Sequence, residues 1–239
     1  ESLQNLYFMS FDTSRPPFDD VRVRRAFAMA VDREKIADEV LEGFVHPATG
    51  GFVPPTIPGH SPGIGLPYDP NQARQLMAQA GYPEGQGFIT VELVWTEKLF
   101  KPLEYLKYHW NDILNVEVAV EITDWENVLR KHQLKRNAYF MGWDADYPDP
   151  DSYLRVGIRA QLPHWCNDKY DQLLEQAQQT MDQPERISLY QEADKILIEE
   201  AAVIPIIYWH GHYLVKPWVN TLLSERDDLH FKNVILEPH

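Results

Sequence analysis

A chain of 239 residues can bury the core of one large domain or two small ones. With 44% hydrophobic residues, including seven Trp, twelve Tyr and ten Phe, the composition excludes a mainly disordered protein. The net charge of −14 would repel phosphate backbones and anionic lipid head groups, which argues against nucleic acid and membrane surfaces as partners, although an acidic surface also serves solubility alone.

The first forty residues predict a strand followed by two helices. Leu6–Phe11 has the apolar and aromatic composition of a strand, and it starts without a preceding turn, as though cut from a longer chain. Asp19 or Asp20 can cap the first helix. Asp32 can cap the second, and Gly43 follows where a left-handed terminator is expected.

The middle of the chain predicts an α/β layer structure. A long ordered loop, rich in Pro and Gly, is expected from Pro47 to Pro70. The next helix begins with Asp69 as its cap and ends at Gly81. A βαβ unit follows, extended by a further helix and strand. These five elements are predicted at Ile89–Trp95, Phe100–Leu114, Val116–Ile122, Trp125–Gln133 and Ala138–Trp143.

The last part of the chain predicts two helices and a hairpin. The helices are expected at Asp168–Met181 and from Gln183 to about Glu200. Two apolar strands, Val203–Trp209 and His212–Val215, follow with Gly211 between them. No run of about 18 apolar residues occurs, so no membrane insertion is expected.

The most informative segment runs from Gly142 to Asp151, with the sequence GWDADYPDPD, and follows a predicted strand. Loops beyond the carboxyl ends of strands line the ligand crevice in α/β sheets. A carboxylate there can pair with an ammonium group, and Trp143 or Tyr147 can cover apolar or cationic groups. An equally weighted interpretation is an Asp-rich turn whose carboxylates cap backbone N–H groups.

Metal and catalytic sites find little support. A calcium loop starting at Asp144 would place Pro148 and Asp149 where an EF-hand has Asp or Asn and then Gly. His210 and His212 could share one face of a strand, but no HExxH motif accompanies them. The one cysteine, Cys166, allows no internal disulfide, and no nucleophile elbow is present. No metal, cofactor or catalytic residue is therefore predicted.

Several short motifs stand in a fixed order through nearly the whole chain. They are Phe11-Asp12-Thr13 with Pro17 to Phe27, Ala30 to Arg33, Tyr68-Asp69-Pro70 with Ala80 to Pro83, Gly142-Trp143 with Asp146 and Asp149-Pro150, and Ile204-Pro205-Ile206. As a set they resemble the C-terminal part of the extracytoplasmic solute-binding proteins of family 5, which serve peptide, dipeptide and nickel ABC importers.

The resemblance implies an α/β fold: a lobe of the type II periplasmic-binding-protein kind, with a mixed sheet and flanking helices. Residues 1–200 would form the C-terminal lobe of a two-lobed binder. Residues 201–239 would hold the strands and tail that in the family return to the other lobe. The family is roughly twice as long as this chain, and its preceding lobe is absent here.

The resemblance also implies a function without catalysis. Such a protein binds peptides or similar small solutes in an interlobe cleft and delivers them to an ABC importer permease. It is expected to be periplasmic or extracytoplasmic, and a lipoprotein form is compatible with the family. The alternatives are a ligand-sensing domain of a cytoplasmic transcriptional or signalling regulator, and a hydrolase that uses the acidic segment.

The family assigns the central binding role to one carboxylate. In peptide-binding members, the Asp placed as Asp146 pairs with the α-ammonium group of the ligand, and a charge-assisted bond in a closed cleft is strong. Its neighbours Trp143, Asp144 and Tyr147 are expected to take part in ligand binding as well. Two further residues, Trp95 and Thr96, are also predicted to bind ligand.

Overall fold

A computed structural model of the protein describes residues 5–97, 100–132, 137–158, 162, 164–210, 216, 218–220 and 234–236. The strands are β1 (Asn5–Phe11), β2 (His46–Pro47), β3 (Val91–Trp95), β4 (Val118–Ile122), β5 (Ala138–Asp144), β6 (Val203–Trp209), β7 (Val219–Asn220) and β8 (Ile235–Leu236). The helices are α1 (Val21–Met29), α2 (Arg33–Lys35), α3 (Pro70–Gln79), α4 (Phe100–Leu114), α5 (Trp125–His132), α6 (Asp168–Gln179) and α7 (Gln183–Glu199). The described residues also include two π-helical segments, Ile36–Val40 and Ser152–Gly157, and a 3₁₀ turn, Pro83–Gly85.

The predicted helix boundaries follow from side-chain caps. The carboxylate of Asp20 accepts the N–H of Arg22 at 2.8 Å at the start of α1. Asp32 accepts the N–H of Lys35 at 3.0 Å in the same way, and α2 then continues as π-helix, which the spacing does not reveal. Gly43, with φ of 74°, ends this segment.

The sheet arrangement confirms one prediction and corrects another. Strands β3 and β4 pair in parallel around α4, so the predicted βαβ unit is confirmed. Strand β5 does not extend this pair by hydrogen bonding within the described residues. It pairs antiparallel with β1 instead, from Asn5 opposite Asp144 to Phe11 opposite Ala138, in a four-stranded sheet of order β2-β6-β1-β5.

Helices cover both faces of the four-stranded sheet. Alternate residues of a strand point to opposite faces, so Tyr7 and Met9 of β1 join one core while Leu6 and Phe8 join another. The Tyr7 side packs against α1, α3, α4 and the parallel pair. The Leu6 side packs against α6, α7 and the loop before α3. Burial on both faces accounts for the almost continuous apolar sequence of β1 and β6.

The C-terminal part confirms the predicted strand Val203–Trp209, which is β6. It lies between β1 and β2, so the predicted division after residue 200 separates β6 from strands to which it is hydrogen bonded. The second predicted hairpin strand, His212–Val215, lies outside the described residues. Among the described helices, none has both the length and the apolar character needed to cross a bilayer.

Candidate ligand-binding site

The site lies between the carboxyl ends of β3 and β5, two strands whose amino ends are joined by Asn137. The Oδ1 atom of Asn137 accepts the backbone N–H of Glu92 at 2.9 Å, and its Nδ2 atom donates to the carbonyl of Thr90 at 2.8 Å. Its own carbonyl accepts the N–H of Asp12 at 3.1 Å. The side chain of Asn137 therefore connects the beginnings of β3 and β5 by hydrogen bonds to the backbone, in place of hydrogen bonds between the strands.

A concavity of about 400 Å³ opens at the other end of these strands. Trp95, Thr96 and Asp144, three of the residues predicted to bind ligand, come together there. The full lining is Asn5, Tyr7, Trp95, Thr96, Trp125, Gly142 and Asp144. A depression in the surface therefore lies beyond the ends of these two strands, where the sequence predicts a site.

Aromatic rings form the floor of this concavity. Tyr7 stacks on Phe140 with ring centroids 5.9 Å apart, and Trp95 meets Phe140 edge-on at 5.2 Å. Trp125 meets Trp95 edge-on at 5.6 Å and keeps 53% of its surface exposed. This surface combines an apolar floor with the carboxylate of Asp144, which suits a ligand with apolar and cationic groups.

Gly142 allows the ring of Tyr7 to lie across β5. A Cβ atom at Gly142 would stand only 2.9 Å from the Tyr7 ring, closer than real Cβ atoms approach their neighbours. Neither Tyr7 nor Trp125 is among the site residues predicted from the sequence. Trp125 carries a recognisable signal, because it opens a helix directly after a strand end, but Tyr7 becomes visible only once its register opposite Gly142 is known.

Trp143 lies on the opposite face of the sheet from Asp144, as strand alternation requires. Its indole packs on Gly157, where a Cβ atom would stand 3.1 Å from the ring, and contacts the core beneath α6 and α7. Trp143 is not among the residues that line the concavity. The structure therefore separates two residues that the sequence analysis grouped together.

The segment that follows β5 is named here the acidic loop, residues 145–151. Asp146 is exposed in it, and its backbone N–H donates to Oγ of Ser152 at 3.0 Å. The hydroxyl of Tyr147 donates to the carboxylate of Asp151 at 2.6 Å. Burial together with this bond raises the pKa of Tyr147 to about 12, so the hydroxyl stays protonated as a donor at neutral pH.

Two carboxylates of the acidic loop are bound within the protein. Asp149 accepts the N–H of Asp151 at 2.9 Å and both terminal nitrogens of Arg186. Asp151 accepts Nε of Arg155 at 2.8 Å and the hydroxyl of Tyr190 at 3.0 Å. Burial raises the pKa of Asp151, but these hydrogen bonds outweigh it and hold the pKa below its ordinary value. The capping interpretation thus describes Asp149.

Metal-ligating groups are not gathered here. Among the residues that the structure describes, no three His, Cys, Asp or Glu side chains are placed to hold a metal ion. His210 lies beside His46, with ring centroids 5.0 Å apart, and the neighbouring His212 falls outside the described residues.

Comparison with known proteins gives consistent matches. The chain is 33% identical to the probable deoxycholate-binding periplasmic protein YgiS of Escherichia coli, over 98% of this chain and 46% of that protein. It is 32% identical to di/tripeptide-binding protein 1 of Pseudomonas aeruginosa, over 85% of this chain and 40% of that protein. The chain spans a little under half the length of these curated relatives.

The solved structure of the murein tripeptide binding protein MppA of Escherichia coli matches with a TM-score of 0.87 and 25% identity, over 100% of this chain and 49% of that one. The predicted type II periplasmic-binding-protein fold is therefore confirmed. The family model for bacterial extracellular solute-binding proteins, family 5 (middle), matches residues 2–157, which is more than half of the chain. The predicted resemblance is thus confirmed, and the protein belongs to the bacterial extracellular solute-binding proteins of family 5.

Proposed function

We propose that this chain is the lobe of an ABC importer's solute-binding protein that holds the cationic end of a peptide or peptide-like solute. The observation that carries the proposal is the placement of Asp144 at the rim of an aromatic concavity between the ends of β3 and β5. Asp146 follows two residues later in the acidic loop and is not among the residues that line the concavity. Both residues are exposed.

The chemistry of this surface suits a free amino terminus beside an apolar side chain. An ammonium group gains a charge-assisted hydrogen bond from a carboxylate, and the bond strengthens when the site is closed to water. The rings of Tyr7, Trp95 and Trp125 offer apolar and cation-attracting surface nearby. Trp143 supports the site indirectly, by packing on the opposite face of β5. Tyr147 supports it through its hydrogen bond to Asp151.

The names of the relatives support a small solute but differ in its chemistry. One relative is named for di- and tripeptides and one structure for a murein tripeptide, which favours a ligand with an amine. Another is named as a probable deoxycholate binder, and such a ligand is anionic and would use the aromatic floor alone. The peptide is preferred because the carboxylate of Asp144 at the rim would repel an anion.

The whole protein is proposed to be periplasmic and to deliver its ligand to an importer permease. A second lobe would close over the concavity by a hinge, and residues 1–200 would form the wall described above. The relatives reported are named as binding proteins, so the alternative of a regulator's sensor domain gains no support from them. The ligand is released unchanged, without catalysis.

The binding proposal is tested by calorimetry with trialanine and its N-acetylated form. The free peptide is expected to bind more tightly, and Asp146→Asn or Asp144→Asn should remove about 2 to 5 kcal/mol of that binding if the pair is desolvated. Glu192→Gln, an exposed carboxylate on α7, is the control. Equal affinities for the two peptides would refute an ammonium site.

The absence of catalysis is tested separately. Short peptides are incubated with the protein at micromolar concentration and followed by mass spectrometry. The masses should stay unchanged over hours. A product whose formation stops on Asp144→Asn or Asp146→Asn would show a hydrolase that uses the acidic loop.

A further inference from the structure

Arg186 of α7 binds Asp149 of the acidic loop, although the two residues are 37 positions apart in the sequence. Its Nη1 atom donates to Oδ2 of Asp149 at 2.8 Å, and its Nη2 atom donates to Oδ1 at 2.6 Å. This two-pronged geometry fixes the direction of the carboxylate as well as its distance. The guanidinium also lies over the ring of Tyr190, 4.9 Å from its centroid, which restricts its own movement.

The same helix holds the loop at a second point. The hydroxyl of Tyr190 donates to Oδ1 of Asp151 at 3.0 Å, and the same carboxylate accepts Arg155 from the π-helical segment. The side chains of Arg186 and Asp149 keep only 18% and 29% of their surface exposed. Partial burial makes such a pair stronger and less sensitive to salt than a surface pair.

We propose that Arg186 is a positioning residue for ligand binding, which fixes Asp149 to α7 and so holds the acidic loop in the conformation that presents Asp146. This inference rests on the proposed function. A loop that is already ordered loses less conformational entropy when the ligand binds, which increases affinity without a contact between Arg186 and the ligand.

Asp144 provides an internal contrast. It belongs to β5 and lies opposite Asn5 in the strand register, so strand pairing fixes its backbone. Asp146 lies beyond the strand, between the end of β5 and the two anchored carboxylates. Loss of Arg186 is therefore expected to act on Asp146 and to leave Asp144 in place.

Two variants test the inference, Arg186→Gln and Arg186→Lys. Arg186→Gln should weaken binding of trialanine roughly tenfold, while binding of N-acetyl-trialanine changes much less. Arg186→Lys keeps the positive charge but cannot donate to both oxygens of Asp149 in the same geometry. It should therefore weaken binding of trialanine less than Arg186→Gln does. Arg22→Gln is the matched control, because Arg22 also bonds both oxygens of a carboxylate, that of Asp20, the N-cap residue of α1. Thermal unfolding of each variant shows whether the fold is kept.

A double-mutant cycle distinguishes positioning from general stabilisation. In an Asp146→Asn background, Arg186→Gln should leave the preference for the free amino terminus unchanged, because the group it positions is gone. The inference is overturned if Arg186→Gln weakens both peptides equally, or if its effect persists undiminished in that background; the proposed function would then still stand. If the unmutated protein shows no preference for the free peptide, both ideas fail.

Discussion

The buried carboxylate of Asp194 in α7 accepts the backbone N–H of Phe52 at 2.7 Å, which ties the long loop before α3 to the helix beneath it. Its Oδ2 atom has no hydrogen-bond partner among the described residues. A Cβ atom at Gly51 would lie only 1.8 Å from Oδ2, so the loop backbone approaches closely because that residue is glycine. Burial raises the pKa of Asp194 to about 7, although backbone hydrogen bonds lower it in part.

This pKa predicts that the protein loses stability as the pH rises. The folded state binds the proton of Asp194 more tightly than the unfolded state, whose pKa is near 3.8. The contribution of the protonated Asp194 side chain to the free energy of unfolding is therefore fully present below about pH 4. It is lost as the pH rises through about 7. The pKa of Asp194 differs by about three between the folded and unfolded states, and a difference of one corresponds to about 1.4 kcal/mol. The stability lost is therefore at most roughly 4 kcal/mol.

Asp194→Asn checks this expectation, because an amide of similar shape stays neutral at every pH. The variant should be more stable than the unmutated protein at pH 8, and the difference should shrink toward pH 4. Urea unfolding at several pH values measures it, with Glu192→Gln on the exposed side of the same helix as control. Parallel stability curves for the two proteins would show that Asp194 does not titrate in this range.

Gly142→Ala is predicted to destabilise the protein by about 1 to 3 kcal/mol, since the added methyl group would overlap the ring of Tyr7. The ring would have to shift into the concavity, so ligand affinity should fall as well. A Tyr7→Leu background provides the control, because a smaller side chain leaves room for the methyl group. If Gly142→Ala costs the same in both backgrounds, the overlap with the ring is not the cause.

Local signals along the chain predicted most of the elements, because their causes are local. Asp20, Asp32 and Asp69 each place a helix start within a few residues, and each is observed as an N-cap. The partner of β5 could not be predicted in this way. Strand β1 lies about 130 residues earlier, and nothing in the alternation of β5 distinguishes pairing with β1 from pairing with β3.

The same division between local and distant causes applies to the candidate site. The acidic segment and the ends of two strands were found from their positions, and Trp95, Thr96 and Asp144 do meet there. Strand alternation by itself already places Trp143 and Asp144 on opposite faces of the sheet. The attachment of Asp149 to Arg186 depends on how α7 packs, which no local pattern reveals.

Asn137→Ala is predicted to loosen the junction between β3 and β5. Loss of the side chain leaves the N–H of Glu92 and the carbonyl of Thr90 without this partner, at a cost of about 0.5 to 1.5 kcal/mol for each hydrogen bond. Hydrogen exchange at the Glu92 amide should accelerate more than the global stability loss explains. Asn127→Ala, which removes an exposed amide bonded to Asp124, is the control. Unchanged protection of Glu92 would mean that the two strands are held together by other contacts.

Trp125→Ala is predicted to weaken ligand binding by about 1 to 2 kcal/mol while thermal stability changes little. The indole keeps 53% of its surface exposed and lies at the mouth of the concavity, edge-on to Trp95, so a ligand can cover it on binding. Tyr108→Ala, at an aromatic side chain with 62% exposure on α4, is the matched control and should leave affinity unchanged. Calorimetry with trialanine and with a tripeptide that starts in phenylalanine separates the contributions, because only the second has a ring to pack on the indole. If Trp125→Ala weakens both peptides equally, the indole acts on the shape of the concavity and does not contact the first side chain of the ligand.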